Sequence, residues 1–504
     1  MSFKNQSRTQ KNKSLKPATP LILFALGTFT LISAVIPFPL ISGTGYHDGQ
    51  RIVEALFFLF ALLVIALRIL TIESYLKFFS SFKSGPPLCF IFLGLWAAST
   101  ALSPRHGFYE WASLVGLLLI SGAIAQEVSV NAALLIDKIL LLCGTGCSLY
   151  ILQALIAYGL AVINIEQAAP HSLIFGFDNY RFLNHIQTVG LPLLGLLLVR
   201  TEHLNAPKYF HFSFWLAIAS LWWTLTFVSA GRGTFVAVWS GMLIAVLLYR
   251  RQAYPWFRAM ALTCVLGLVT YFVLYVCVPI FIGLQPFGLL LGVVQRTAVD
   301  PSSSRLELWR LAVELVTAQP WLGIGPLHFA HHTQALGVSA HPHNFVLQIA
   351  AEWGLPALFA MLGVLYVSGK SLLRANPLDG LPSSVQNQSI FVVFVATAIS
   401  IFLDSMVSGL MVMPSSQLWV TLYLGCAWGW VSSCAANNSV PTPPTSIAKR
   451  CCALAFVFSL QVLHLNGLWP EVLTLQDREK RFLELQSELH PVQFNPRVWR
   501  MGHF

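Results

Sequence analysis

Residues 341–366 read HPHNFVLQIAAEWGLPALFAMLGVLY: two histidines around a proline, then an apolar run long enough to cross a bilayer. The segment joins a long polar loop, residues 285–340, to that run, so the imidazoles of His341 and His343 are expected where water meets lipid. Read as one helix, the stretch sets Asn344, Gln348 and Glu352 at i, i+4 and i+8 on a single face. Lipid cannot satisfy such a stripe, which must therefore face protein or water.

The rest of the chain has the same character. Hydrophobic residues make up 56% of the 504 and charged ones 10%, with a mean hydropathy of +0.69. That balance excludes an ordinary soluble domain and predicts an all-α polytopic integral membrane protein. The net charge of +10 is carried by Lys and Arg scattered through short loops with no basic, aromatic-laced face. They read as topology signals and not as a nucleic-acid footprint. The nine Cys lie mostly in apolar runs and form no CxxC pair, so they read as core residues.

Residues 1–18 carry five cations and no acid ahead of an apolar run, which predicts a retained first span with a cytoplasmic N-terminus. Spans follow at 20–41, 52–72, 87–102, 107–126, 132–162, 182–200, 209–230, 233–250, 257–283, 343–368, 389–413, 415–434 and 451–469, about 13 transmembrane helices in all. Lys77 and Lys83, Arg200 and Lys208, Arg250, Arg251 and Arg258, Lys370 and Arg374, and Lys449 and Arg450 then fall in loops on the cytoplasmic side. The expected plan is a basic N-terminus over 1–18, one transmembrane domain over 20–470 that includes one large outer loop at 285–342, and an amphipathic tail over 471–504. The tail is expected on the membrane surface or on the protein's own outer face.

The outer loops carry the chemistry. Arg232 stands between Gly231 and Gly233 where one span leaves and the next re-enters; it reads either as a rim cation or as a phosphate clamp, because the flanking glycines let backbone amides approach an anion. Ser302–Ser304 cap a predicted helix whose first turn holds Arg305, where a phosphate oxygen meets both guanidinium and helix dipole; the alternative is a solvent-facing loop arginine. His328, His331, His332, His341 and His343 invite a metal reading, yet their spacing and the lack of a nearby Asp, Glu or Cys argue against one. At the start of a helix, a neutral His343 keeps a nitrogen free to accept a proton from a hydroxyl. Arg181 and His185, at the outer start of another span, are candidate donor-binding groups or rim anchors. Asp404, inside a span, is expected to pair with a cation or line a cavity, while Arg68, Asp137 and Lys138 carry no motif.

The run His343-Asn344, nine residues, then Gly354 resembles the signature of the O-antigen ligase family. Ser304-Arg305-Leu306-Glu307-Leu308-Trp309 and Pro320-Trp321-Leu322-Gly323-Ile324-Gly325 resemble the preceding loop of ligases, O-antigen polymerases and bacterial O-linked oligosaccharyltransferases. The likeness covers roughly residues 170–430; it departs at Ala357, where ligases usually carry Gly, Thr or Tyr. The resemblance implies a metal-independent, cofactor-free, inverting glycosyltransferase of the membrane-embedded C type in a bacterial inner membrane, with its site and its large loop in the periplasm. The donor it implies is a glycan on undecaprenyl diphosphate, and the acceptor lipid A core oligosaccharide, with a growing O-antigen chain or a protein Ser/Thr as alternatives. Arg232 and Arg305 match the family's diphosphate-binding arginines and His343 its essential histidine. Arg181, His185, His341, Asn344 and Glu352 are the accompanying substrate-binding candidates. A polytopic transporter or flippase is the reading of another class, although its ionisable groups belong at mid-membrane and here they gather at one rim.

Overall fold

The computed structural model describes residues 19–35, 43–72, 85–200, 208–288, 291–292, 294, 298, 305–333, 338–375, 385–435, 446–487 and 494–502. The basic stretch 1–18, the loop cations Lys77 and Lys83, and the capping serines Ser302–Ser304 lie outside them. Every regular element among the described residues is helical. In chain order these are α1 (Leu21–Val35), α2 (Tyr46–Thr71), α3 (Pro86–Ser99), α4 (Pro104–Ser129), α5 (Ala132–Ile163), α6 (Phe182–Arg200), α7 (Lys208–Val228), α8 (Arg232–Tyr249) and α9 (Tyr254–Phe281, with a π turn at Val273–Cys277). Then come α10 (Arg305–Ala318), α11 (Phe329–Thr333), α12 (Phe345–Trp353), α13 (Leu355–Arg374), α14 (Val385–Ser405), α15 (Pro414–Ala435), α16 (Ile447–Leu473) and α17 (Leu475–Ser487).

The thirteen predicted runs all overlap helix, the run 389–413 only as far as Ser405, and among the described residues nine helices are long and apolar enough to cross a membrane by length and composition. One expectation is corrected. Residues 343–368 are two helices, because Gly354, at φ 84° and ψ 167°, breaks the run between α12 and α13. That backbone region is accessible essentially to glycine alone. Among the nine, the spanning segment here is Leu355–Arg374.

Helix pairs meet where glycine removes the side chain that would hold them apart. On α15, Gly425 and Gly429 lie against Ser121, Ile124, Ala125 and Val128 of α4, a small-xxx-small contact. Gly241 of α8 sits so close to α14 that a Cβ there would be 2.5 Å from the Ala396 carbonyl oxygen, and Gly267 of α9 meets the Ser220 carbonyl of α7 in the same manner. In apolar surroundings, close van der Waals contact of this kind supplies the association that hydrophobic burial supplies in water.

Charge collects at the two ends of the bundle. At the end bearing the predicted cytoplasmic cations, Arg68 Nη1 donates to Glu127 Oε1 at 2.5 Å, and the same carboxylate accepts from the backbone amides of Ile22 and Leu23 at 3.1 and 2.8 Å, capping α1. Asp137 pairs with Arg200, with Nη2 2.7 Å from Oδ2. Arg68 and Asp137 therefore tie neighbouring helices together. Replacing Arg68 by leucine leaves the buried Glu127 carboxylate without its cation, and unfolding free energy is expected to fall by on the order of 3 kcal/mol. Thermal unfolding in detergent checks this; an unchanged midpoint would rule out a structural role for the pair.

Candidate active site

The other end of the bundle is built around residues 341–344. His343 adopts φ 52°, the left-handed region, so the chain turns sharply before α12. Asn344 is the N-cap, its side chain accepting from the Leu347 amide at 3.0 Å. His343 thus precedes the helix rather than opening it. Both flanks of this turn are tied to the 305–325 region. Trp309 Nε1 of α10 donates to the Pro342 carbonyl at 3.0 Å. At the far end of α12 the Ile324 and Gly325 amides donate to the Ala351 and Glu352 carbonyls at 2.9 Å each, and the Leu355 amide donates to the Pro320 carbonyl at 2.8 Å. The Pro320–Gly325 stretch therefore closes off the orphan carbonyls that end α12. Leu308, Ala312 and Leu315 of α10 share a core with Ala351 and Phe329, so the helix that begins with Arg305 is set rigidly against the helix that follows His343.

His341 is buried, and its Nδ1 accepts from the His343 backbone amide at 3.3 Å, which places its ring proton on Nε2. The two imidazole centroids stand 4.1 Å apart. Gly409, after α14, lies directly on His341, where a Cβ would be 2.8 Å from Cε1. Burial, then the charges of Arg305, His185 and Arg181, hold the His343 imidazole down to a pKa of about 3. Burial and the neighbouring His343 hold His341 well below the usual histidine range. Both rings are therefore neutral at pH 7. The sequence expectation of a neutral His343 rested on a helix terminus; in the structure the causes are desolvation first and then the charged surroundings, the Arg305 and Arg181 guanidinium groups among them.

Three further sequence candidates border this turn. His185, on the first turn of α6, is 8% exposed, with Nδ1 3.9 Å from Asp404 Oδ2. Thr188 Oγ1 donates to the same carboxylate at 2.6 Å and lies 3.0 Å from Thr234 Oγ1, while Thr234 donates to the Asn184 carbonyl at 2.9 Å. A Cβ on Gly233 would stand 3.2 Å from Asp404 Oδ1. These contacts seat the N-terminus of α8, where Arg232 is the exposed first residue, beside the His185–Asp404 pair. Arg181 is exposed, with its guanidinium 6.0 Å from the Tyr180 ring centre.

The structure thus gathers His341, His343, Arg305, Arg181 and His185 at one place and sets Arg232 on the adjoining rim. Asn344 serves as a cap. Glu352 lies two turns along α12, fully buried, with Oε2 2.9 Å from Arg497 Nη2 and Oε1 accepting from the Phe329 amide at 3.2 Å. His328 is a clamp: its Nε2 accepts from the Ser103 amide at 2.9 Å, linking the loop to the turn between α3 and α4. Among the described residues no group of three or more His, Cys, Asp or Glu is arranged to hold a metal ion. Arg497 and Thr188 carry no assignment from sequence, while Asp404, expected to pair with a cation or line a cavity, accepts from Thr188 and lies 3.9 Å from His185. Only the run Arg497-Val498-Trp499-Arg500, two arginines among apolar residues just past a charged helix, hinted at burial.

A helical membrane protein with a cationic rim around two neutral imidazoles is the class that this fold and site define. Residues 214–362 match the O-antigen ligase family, whose members are glycosyltransferase-like enzymes, and the match supports a relation to the O-antigen ligase-related superfamily. The matched stretch contains Arg232, Arg305, His341, His343, Asn344 and Glu352, and leaves out Arg181, His185 and Asp404. No curated protein matches the chain.

Proposed function

We propose that the protein moves a glycan from undecaprenyl diphosphate to lipid A core oligosaccharide, at the periplasmic face of a bacterial inner membrane, by inversion and without a metal. The observation that carries this reading is one turn that holds the paired imidazoles of His341 and His343, 4.1 Å between centroids, and is tied through Trp309 to the helix that begins with Arg305, with the Arg305 and Arg181 guanidinium groups near enough to lower the His343 pKa. Cations at such a site suit a diphosphate leaving group, whose developing charge is stabilised by fixed donors. Arg305 and Arg181 would take the phosphates, Arg232 would reach them from the adjoining rim, and His343 would accept the proton of the attacking hydroxyl. Donor binding would also adjust the base. A diphosphate between the arginines offsets the charges that depress His343, so its pKa rises toward the range where proton acceptance is efficient.

The test is transfer of labelled glycan from undecaprenyl diphosphate by the purified protein, with mass analysis of the glycosylated product. Lipid A core is the expected acceptor; a lengthened glycan or a modified Ser/Thr would replace it by the polymerase or protein-glycosylating reading. Uptake of the lipid-linked glycan into vesicles without transfer defeats the proposal in favour of a transporter. Replacing Arg305 by alanine is expected to lower turnover about 10²–10³-fold while membrane insertion is retained, with lysine restoring only part. Activity is expected to be indifferent to a chelator; loss with EDTA and recovery with a divalent ion would revive the metal reading.

A further inference from the structure

The segment Phe494–Gly502, which sequence reading left in the amphipathic tail, is folded into the histidine end of the bundle. Arg497 is 1% exposed, and its Nη2 contacts Glu352 of α12 and, at 3.1 Å, Glu110 of α4. Its carbonyl accepts from Arg51 Nη2 at 2.9 Å, and the carbonyls of Arg497 and Val498 both accept from His47 Nε2, at 3.2 and 3.1 Å. Trp499 Nε1 donates to Glu471 at 2.6 Å, and the Arg500 amide donates to Asp48 at 2.6 Å. Val498, Trp499 and Met501 pack against Ala55, Tyr109 and Leu327. Gly502, at φ 86°, comes so near the turn that a Cβ there would be 3.2 Å from the Ala340 Cβ. The segment therefore grips the site on both sides: at Ala340, the residue before His341, and at Glu352, on the helix after His343.

We infer that Phe494–Gly502 is a strap that sets the His341–Asn344 turn, and that Arg497 is a positioning residue for His343, acting through Glu352 and α12. The inference rests on the transferase reading only for its kinetic consequence. A fully buried Glu352 needs a cation, and among the described residues Arg497 meets it. With that pair broken, the buried Glu352 carboxylate loses its counter-charge, and α12 with the turn before it is held less tightly against Arg305.

The full chain in nanodiscs gives two independent readouts. In Arg497→Met, amide exchange over residues 338–352 is expected to rise about tenfold, with α5 and α9 unchanged. Turnover with an undecaprenyl-diphosphate-linked disaccharide and cell-envelope extract is expected to fall about 10²-fold, with the donor KM within about twofold of wild type. Arg497→Lys should recover part of both. Gly502→Ala, which alters no charge but strains the turn against the Asn495 carbonyl, should loosen 338–352 in the same way. Exchange at 338–352 that stays at the wild-type level in both variants, or that rises equally throughout the bundle, overturns the proposal. If the wild-type protein transfers no glycan, the function assigned above fails while the exchange result still decides the role of the strap.

Discussion

Replacing His343 by alanine is expected to lower glycan transfer by about 10³-fold, the middle to upper range for loss of a positioned proton acceptor. The ring stands in the turn before α12, where Trp309, His341 and the Asn344 cap hold the backbone without using the His343 side chain. The protein should therefore still insert, and unfold close to the wild-type temperature. Single-turnover transfer at saturating donor separates the chemical step from binding, and a loss smaller than about tenfold would remove His343 from the proton-transfer role. The pH dependence follows from the depressed pKa. An imidazole held near 3 is neutral throughout pH 5–8, so kcat/KM, which reports the free enzyme, should not fall across that range through protonation of His343. The stability sign is equally definite. The unfolded chain binds a proton at this histidine below about 6.5 and the folded chain does not. Its contribution is thus present above pH 6.5 and is lost as pH falls toward 3. Removing Arg305 should raise the His343 pKa, which a titration followed by NMR would read directly.

Changing Gly354 to alanine is expected to cost on the order of 3 kcal/mol or more and to abolish transfer with it. A Cβ at this position collides with the Trp321 carbonyl oxygen and would stand 2.6 Å from the Trp321 carbonyl carbon and 2.9 Å from the Leu322 amide nitrogen. All three are backbone atoms, so no rotamer change relieves the clash, and φ 84° with ψ 167° is closed to alanine in any case. Relief would pull Pro320–Gly325 away from the end of α12 and, with it, α10 and Arg305 away from His343. Gly369→Ala in α13 is the matched control, since nothing lies within 4 Å of its Cβ position; it should be neutral or stabilise by up to ~1 kcal/mol. Equal unfolding midpoints for wild type and Gly354→Ala would refute the interlocked junction.

Much of this was written in local sequence. Spans declare themselves because lipid demands uninterrupted apolar runs, and the predicted runs all overlap helix, with nine helices among the described residues long and apolar enough to cross. Arg232, Arg305 and His343 stood out by local context: a glycine on each side, a serine-capped helix start and the head of an apolar run. The break at Gly354 was harder to read: glycine is tolerated inside membrane helices, and only the approach of the Trp321 backbone requires its special conformation there.

What tertiary structure alone decided is which buried charge answers which. Glu352 meets Arg497 across 145 residues of chain and Thr188 meets Asp404 across 216, distances at which neither hydropathy nor periodicity carries information. A carboxylate in an apolar helix states that a partner must exist, because its desolvation has to be offset. Composition and spacing determined the helices and the residues able to do chemistry. Helix packing determined the partners, because the energy of a buried charge depends on what lies within a few ångströms of it in space, wherever that group stands in the chain.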